Sequence, residues 1–137
     1  MTARSRLYRT APVGGPKGQP DYLNAVVELR PAVAFRDPRR LLAALHDLET
    51  RFGRRRRVRW EARRLDLDLL ALGDDVRDEP GLQLPHPRLM ERAFVLIPLV
   101  EVAPEWRDPR DGRRADEALA TLGSGGVWPS GLDWRAR

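Results

Sequence analysis

The chain has 137 residues, which predicts one domain over 1–137 and allows a core that buries about two-thirds of the unfolded surface. It has no cysteine, no apolar run near the ~20 residues of a membrane span and no opening signal-peptide pattern; this excludes disulfide and thiolate chemistry and predicts a cytoplasmic protein without a membrane partner. A net charge of +5, from 25 cations of which only Lys17 is a lysine, favours an anionic partner without choosing between nucleotide and nucleic acid.

In chain order, Ser5 to Thr10 reads as a strand end. Ala11 to Pro20 carries three prolines and three glycines and reads as a loop. Tyr22 to Leu29 alternates, with Leu23, Ala25, Val27 and Leu29 on one face, which predicts a strand with that face toward the core. Asp37-Pro38 supplies an N-cap and a proline at the first helical position. Leu41, Leu42, Leu45, Leu48 and Phe52 follow at helical spacing, and Gly53 stands where the helix should end. Arg54 to Arg64 has no period and reads as an extended, mobile loop. Leu65 to Leu72 alternates and predicts a strand, and Gly73-Asp74-Asp75 a turn. Leu82 to Leu84 predicts a short strand. Pro87 opens a helix with Leu89, Phe94 and Leu96 that Pro98 should end. Asp116 to Leu122 predicts a last short helix, and the tail from Gly123 reads as irregular. Strands and helices mix without a βαβ rhythm, so the expected class is α+β.

The chemistry concentrates in Gly53 to Asp68, which holds seven arginines, Trp60 and a closing Asp66-Leu67-Asp68. Guanidinium forks hold phosphate oxygens in pairs, and carboxylates hold the divalent ions that ride on phosphates. In a strand, residues i and i+2 share a face, roughly 7 Å apart. Asp66 and Asp68 would therefore face one way while the leucines face the core. The same alternation also describes a half-buried strand with a solvated polar face, and a run of arginines also describes a solvated or RNA-contacting segment. His86 is fixed between Pro85 and Pro87. His46 lies mid-helix and reads as a surface residue. Tyr22 and Asn24 place an aromatic and an amide on one strand face, a pair able to stack on and hydrogen-bond a planar heterocycle, or simply a strand edge.

Several separate segments together carry a resemblance to one family. They are Tyr8-Arg9-Thr10-Ala11-Pro12, Gln19 to Ala25, Gly53 through Asp68, and Leu84-Pro85-His86-Pro87-Arg88-Leu89 with Glu91 to Leu96. In this order the chain resembles the 6-hydroxymethyl-7,8-dihydropterin pyrophosphokinases of folate biosynthesis, over roughly residues 5 to 105. The resemblance implies transfer of the β,γ-diphosphate of ATP to the pterin hydroxymethyl group with release of AMP. It implies a ferredoxin-like antiparallel sheet with helices on both faces. Asp66 and Asp68 would hold two Mg²⁺ ions. Arg54, Arg56, Arg59 and Arg63 would lie in a mobile catalytic loop, with Arg54 and Arg63 as catalytic phosphate contacts. His86 and Arg92 would bind the triphosphate, and Glu49 would lie by the nucleotide. Tyr22 and Phe94 would sandwich the pterin, Asn24 would hydrogen-bond its polar edge, and Thr10 and Val13 would complete its pocket through their backbones. The partners implied are small molecules only, with no nucleic acid, on a monomer.

The chain departs from the family pattern in three places. Glu61-Ala62 stands where the family has Gly-Pro. The loop between Gly53 and Trp60 is about one residue short, which leaves Arg56 and Arg57 interchangeable. The family's opening strand, Gly-Ser-Asn turn and helix are missing, and the expectation is that Met1 is a late start within a longer natural chain. An inactive remnant that still binds ATP or pterin is the alternative, followed by an arginine-rich RNA-binding module.

Overall fold

The computed structural model describes residues 1–11, 21–53 and 65–134. The expected loops lie outside the described residues, apart from Ala11, and so do Val13, Arg54, Arg56, Arg59 and Arg63. Described helices and strands mix, and the strand pairs are antiparallel, which bears out the α+β class. The chain divides into two compact units, Met1–Arg30 with Pro87–Arg137, and Pro31–His86.

In the first unit β1 (Ala3–Arg4) pairs with β4 (Val27–Glu28), and β2 (Tyr8–Thr10) lies between β3 (Tyr22–Asn24) and β7 (Val127–Pro129). The two ladders do not join in register. Arg4 opposes Val27 and Tyr8 opposes Asn24, so Ser5, Arg6 and Leu7 face only Ala25 and Val26. This is a β-bulge. Ser5, 2 % exposed, holds it: its N–H donates to the Val26 carbonyl at 2.9 Å and its Oγ accepts the Val26 N–H at 3.0 Å.

The single strand expected over Tyr22 to Leu29 is thus two short strands. Its leucine face also points the other way from the prediction, since Leu23, Val27 and Leu29 are exposed. The register explains this. Cross-strand partners share a face, so Tyr8, Thr10, Tyr22 and Asn24 lie together, leaving Leu23 with Arg9 and Trp128 on the opposite side. Tyr8 and Thr10 are the buried members of β2. The tail expected to be irregular instead supplies β7. It pairs with β2 alone among the described strands, an edge position where Pro129 is tolerated.

A 3-10 turn at Leu89–Glu91 leads into α2 (Ala93–Val102), and α3 (Ala115–Leu122) follows. Pro98 does not end the helix as expected; it sits inside it. Proline there lacks the N–H that would reach the Phe94 carbonyl, a cost of about 3 kcal/mol in a helix interior. Burial of Leu96, Pro98 and Leu99 outweighs the local signal. This helix packs on α3 and against β2, β3 and β4. The core of the unit is Tyr8, Leu89, Leu96, Leu99, Ala115 and Ala118. Between the helices, Asp108 is 1 % exposed; it accepts the Arg110 backbone N–H and pairs with the Arg110 guanidinium.

In the second unit α1 spans Pro38–Gly53. Asp37 caps it as the sequence predicts: Oδ1 accepts the Arg39 N–H at 3.0 Å. Arg39 then reaches Glu79 at 2.8 Å. Glu79 ends β5 (Arg77–Glu79), a strand the sequence did not suggest, which pairs with the expected β6 (Leu82–Leu84). The two-residue connection is Pro80-Gly81, with Gly81 at φ +76°, the left-handed conformation glycine adopts readily. Leu82 and Leu84 are buried.

The strand expected at Leu65–Leu72 is not formed. That segment pairs with no other strand among the described residues. Its backbone groups find other partners: the Leu67 N–H goes to a Glu49 carboxylate and the Leu70 carbonyl accepts the His86 N–H.

Candidate functional site

Asp66 and Asp68 are exposed and Leu67 between them is half-buried, but Leu65 is exposed as well, so the predicted alternation holds only from Asp66 to Leu69. Leu67 is held from α1. Its N–H donates to Glu49 Oε2 at 2.8 Å, a charge-assisted bond to the residue that separates the two aspartates. Three positions further on, the His86 N–H donates to the Leu70 carbonyl at 2.7 Å. The second unit therefore brings Glu49, Asp66, Asp68 and His86 around one short segment. Among the described residues, neither Asp66 nor Asp68 forms a hydrogen bond or ion pair with another side chain.

The donor set can be compared with what a divalent ion requires. Among the described residues no three acidic, histidine or cysteine side chains gather into a cage. Mg²⁺ does not need one: it is commonly held by one or two carboxylates with substrate phosphates supplying the rest. An exposed pair of carboxylates fits an ion delivered on a nucleotide.

The first unit holds the other predicted residues that are described, Thr10, Tyr22, Asn24, Arg92 and Phe94. Thr10 and Tyr22 are register partners, and the Asn24 Nδ2 donates to Thr10 Oγ1 at 2.8 Å. This bond fixes the amide plane and leaves its carbonyl oxygen and second N–H for another partner. Thr10 thus contributes through its hydroxyl, not only its backbone. Tyr22, 57 % exposed, offers its ring on the same strand face. Phe94 lies in the first turn of α2, the helix that packs on these strands, and the Arg92 guanidinium lies 5.5 Å from the centre of the Phe94 ring. A polar amide and aromatic rings on these elements suit a planar, hydrogen-bonding heterocycle.

One cluster escaped the sequence reading. Glu101 Oε1 accepts the Arg6 backbone N–H at 2.7 Å and the Tyr8 hydroxyl at 3.1 Å, and Oε2 accepts Arg6 Nε at 2.9 Å. Burial pushes the Glu101 carboxyl up, but the Arg6 and Tyr8 donors outweigh it and hold it below the usual carboxylate range. Burial and the same carboxylate push the Tyr8 phenol up. The available signal was Glu101 itself, the one charged residue in the ten-residue Ala-Phe-Val-Leu-Ile-Pro-Leu-Val-Glu-Val helix.

Comparison with known proteins gives the family. A family model described as 7,8-dihydro-6-hydroxymethylpterin-pyrophosphokinase (HPPK) matches residues 1–104. The chain is 42 % identical over 125 residues to the 2-amino-4-hydroxy-6-hydroxymethyldihydropteridine pyrophosphokinase of Synechocystis, covering 91 % of this chain and 62 % of that protein. The protein of the same name from Pseudomonas aeruginosa is 42 % identical over 127 residues, covering 93 % of this chain and 75 % of the relative. The mitochondrial folate synthesis bifunctional protein of Arabidopsis thaliana matches at 42 % over 102 residues, 74 % of this chain and 18 % of its own length. The chain thus spans somewhat under two-thirds of the Synechocystis protein. With a family model over most of its length and relatives at this identity, the chain belongs to the 7,8-dihydro-6-hydroxymethylpterin-pyrophosphokinase family.

Proposed function

We propose that the protein transfers diphosphate from ATP to 6-hydroxymethyl-7,8-dihydropterin, releasing AMP. The observation that carries this reading is the Asp66-Leu67-Asp68 segment in a chain of this family: its backbone is held at Leu67 by Glu49, and its two exposed carboxylates engage no other described side chain. The pterin hydroxyl oxygen forms a bond to the β-phosphorus, the bond from that phosphorus to the oxygen it shares with the α-phosphate breaks, AMP leaves and the hydroxyl loses its proton. Asp66 and Asp68 hold two Mg²⁺ ions, which when bound would neutralise the charge in transit. Glu49 fixes the backbone between them. His86, Arg92 and the loop arginines Arg54, Arg56, Arg59 and Arg63 hold phosphate oxygens, with Arg54 and Arg63 at the reacting phosphates. Tyr22 and Phe94 stack on the pterin, while Asn24, oriented by Thr10, reads its polar edge with backbone help from Val13. The chain acts as a single domain over 1–137, monomeric and cytoplasmic, with small-molecule partners and neither nucleic acid nor membrane. Among the described residues no helix is long and apolar enough to cross a membrane.

The test is AMP formation from Mg-ATP and the hydroxymethyl dihydropterin. Asp66→Asn and Asp68→Asn should each lower turnover by about 10³-fold or more, the scale of removing a metal ligand at a phosphoryl centre. No AMP from the chain or from a version extended upstream would sink the reading. Near-normal rates in both variants would remove the two-ion assignment. Binding of pterin or ATP without turnover would favour the non-catalytic remnant.

A further inference from the structure

Glu101 is the one charged residue of α2. Its side chain is 29 % exposed and that of Arg6 66 %, and a pair this exposed adds only about 0–1 kcal/mol to stability. Glu101 is nonetheless held on both oxygens. It binds Arg6 through backbone and side chain and accepts the Tyr8 hydroxyl. Arg6 Nη2 donates to that hydroxyl at 3.2 Å, and the guanidinium lies 5.5 Å from the Tyr8 ring centre. Glu101, Arg6 and Tyr8 close a triangle, with Tyr8 only 3 % exposed.

The triangle joins two elements that carry different parts of the proposed heterocycle site. Tyr8 opens β2, two residues before Thr10 and on the face shared with Tyr22 and Asn24. Glu101 lies near the end of α2, two turns from Phe94. Among the described residues, Glu101 with Tyr8 is the polar tie between β2 and α2. Apolar packing is non-directional and tolerates sliding along a helix, where one turn is about 5.4 Å. Charge-assisted hydrogen bonds at three donors do not tolerate it.

We propose that Glu101, with Arg6 and Tyr8, is a positioning residue that sets where Phe94 stands against Tyr22 and Asn24, and so the affinity for the planar heterocyclic substrate. This rests on the reading of that face as the pterin site. Glu101 does not touch the substrate; it fixes the helix that does.

The test uses the full chain, with pterin binding followed by its own fluorescence alongside steady-state kinetics. Glu101→Ala and Tyr8→Phe should raise the pterin Kd and KM, by about tenfold and about threefold, each tenfold being 1.4 kcal/mol. The KM for ATP should stay within about twofold, since a general loss of structure would move both substrates alike. Glu101→Gln keeps an oxygen that accepts from Arg6 and should recover pterin affinity to within about threefold of wild type. Tyr8→Phe keeps the buried ring, so it reports even if the alanine variant unfolds. Wild-type pterin affinity in both Glu101→Ala and Tyr8→Phe, or equal changes for the two substrates, overturns the positioning role while leaving the proposed function standing. A wild-type protein that neither binds the pterin nor makes AMP overturns the functional reading, and this inference with it.

Discussion

The Glu49 carboxylate accepts the backbone N–H of Leu67 at 2.8 Å, and Leu67 is the residue between Asp66 and Asp68. A helix side chain thereby holds a segment that has no ladder of its own. Glu49→Ala should free that N–H: amide exchange at Leu67 should speed up by about tenfold or more, as expected where local opening becomes easier. The Mg²⁺ concentration for half-maximal AMP formation should rise about tenfold, while Glu49→Gln, which keeps an acceptor oxygen, should lie nearer wild type. Unchanged exchange at Leu67 would mean that the bond is not made in solution.

The Thr10 hydroxyl accepts the Asn24 amide at 2.8 Å. Thr10→Val keeps the shape and removes the acceptor of the Asn24 amide. The amide then loses its fixed plane, and the pterin KM should rise by about three- to tenfold, the worth of one hydrogen bond, with the ATP KM unmoved. An unaltered pterin KM would show that Asn24 is oriented by something else.

Asp108 sets an acid limit on stability. Its hydrogen-bonded ion pair with Arg110 holds the carboxyl below the usual carboxylate range, against the upward push of burial. A carboxyl lowered on folding stabilises the protein above its unfolded value, about pH 4, and that contribution is lost as pH falls toward the folded value. Asp108→Asn should therefore be less stable than wild type at neutral pH, by about 1–3 kcal/mol. The gap should close below about pH 4. Melting curves against pH check this, and a gap that persists at low pH would remove Arg110 pairing as its cause.

Gly81 is needed for its backbone alone. Nothing lies within 4 Å of where a Cβ would stand, yet its φ is +76°. Gly81→Ala should cost about 1 kcal/mol through backbone strain, with no loss of the proposed AMP formation in the folded protein. Thermal unfolding gives the shift directly; an unchanged melting temperature would mean that the turn relaxes at no cost.

Elements with local signals were legible in the sequence. Asp37, Pro38 and the leucine period define α1, and α3 lies nearly where Asp116 to Leu122 suggested. Elements decided by distant partners were not. Pro98 reads as a stop, yet buried neighbours carry α2 through it. The glycine-rich tail reads as irregular, yet β2 recruits it as an edge strand. Pro80-Gly81 could have exposed β5, since that dipeptide marks a turn between two strands. In the candidate site, Asp66 and Asp68 stood out by alternation and Tyr22 and Asn24 by sharing a strand face. The Glu101 triangle was invisible because Glu101 lies more than ninety positions from Arg6 and Tyr8.

The bulge at Ser5, Arg6 and Leu7 gives the chain a place where its length can change. Losing one residue there would set two residues against Ala25 and Val26, and the pairs on either side, Arg4 with Val27 and Tyr8 with Asn24, would join into one regular ladder. The same deletion within Tyr8–Thr10 or Tyr22–Asn24 would turn Arg9 or Leu23 to the face now held by Tyr8, Thr10, Tyr22 and Asn24. Single-residue insertions and deletions in this hairpin should therefore be tolerated at the bulge and excluded from the strands that follow it.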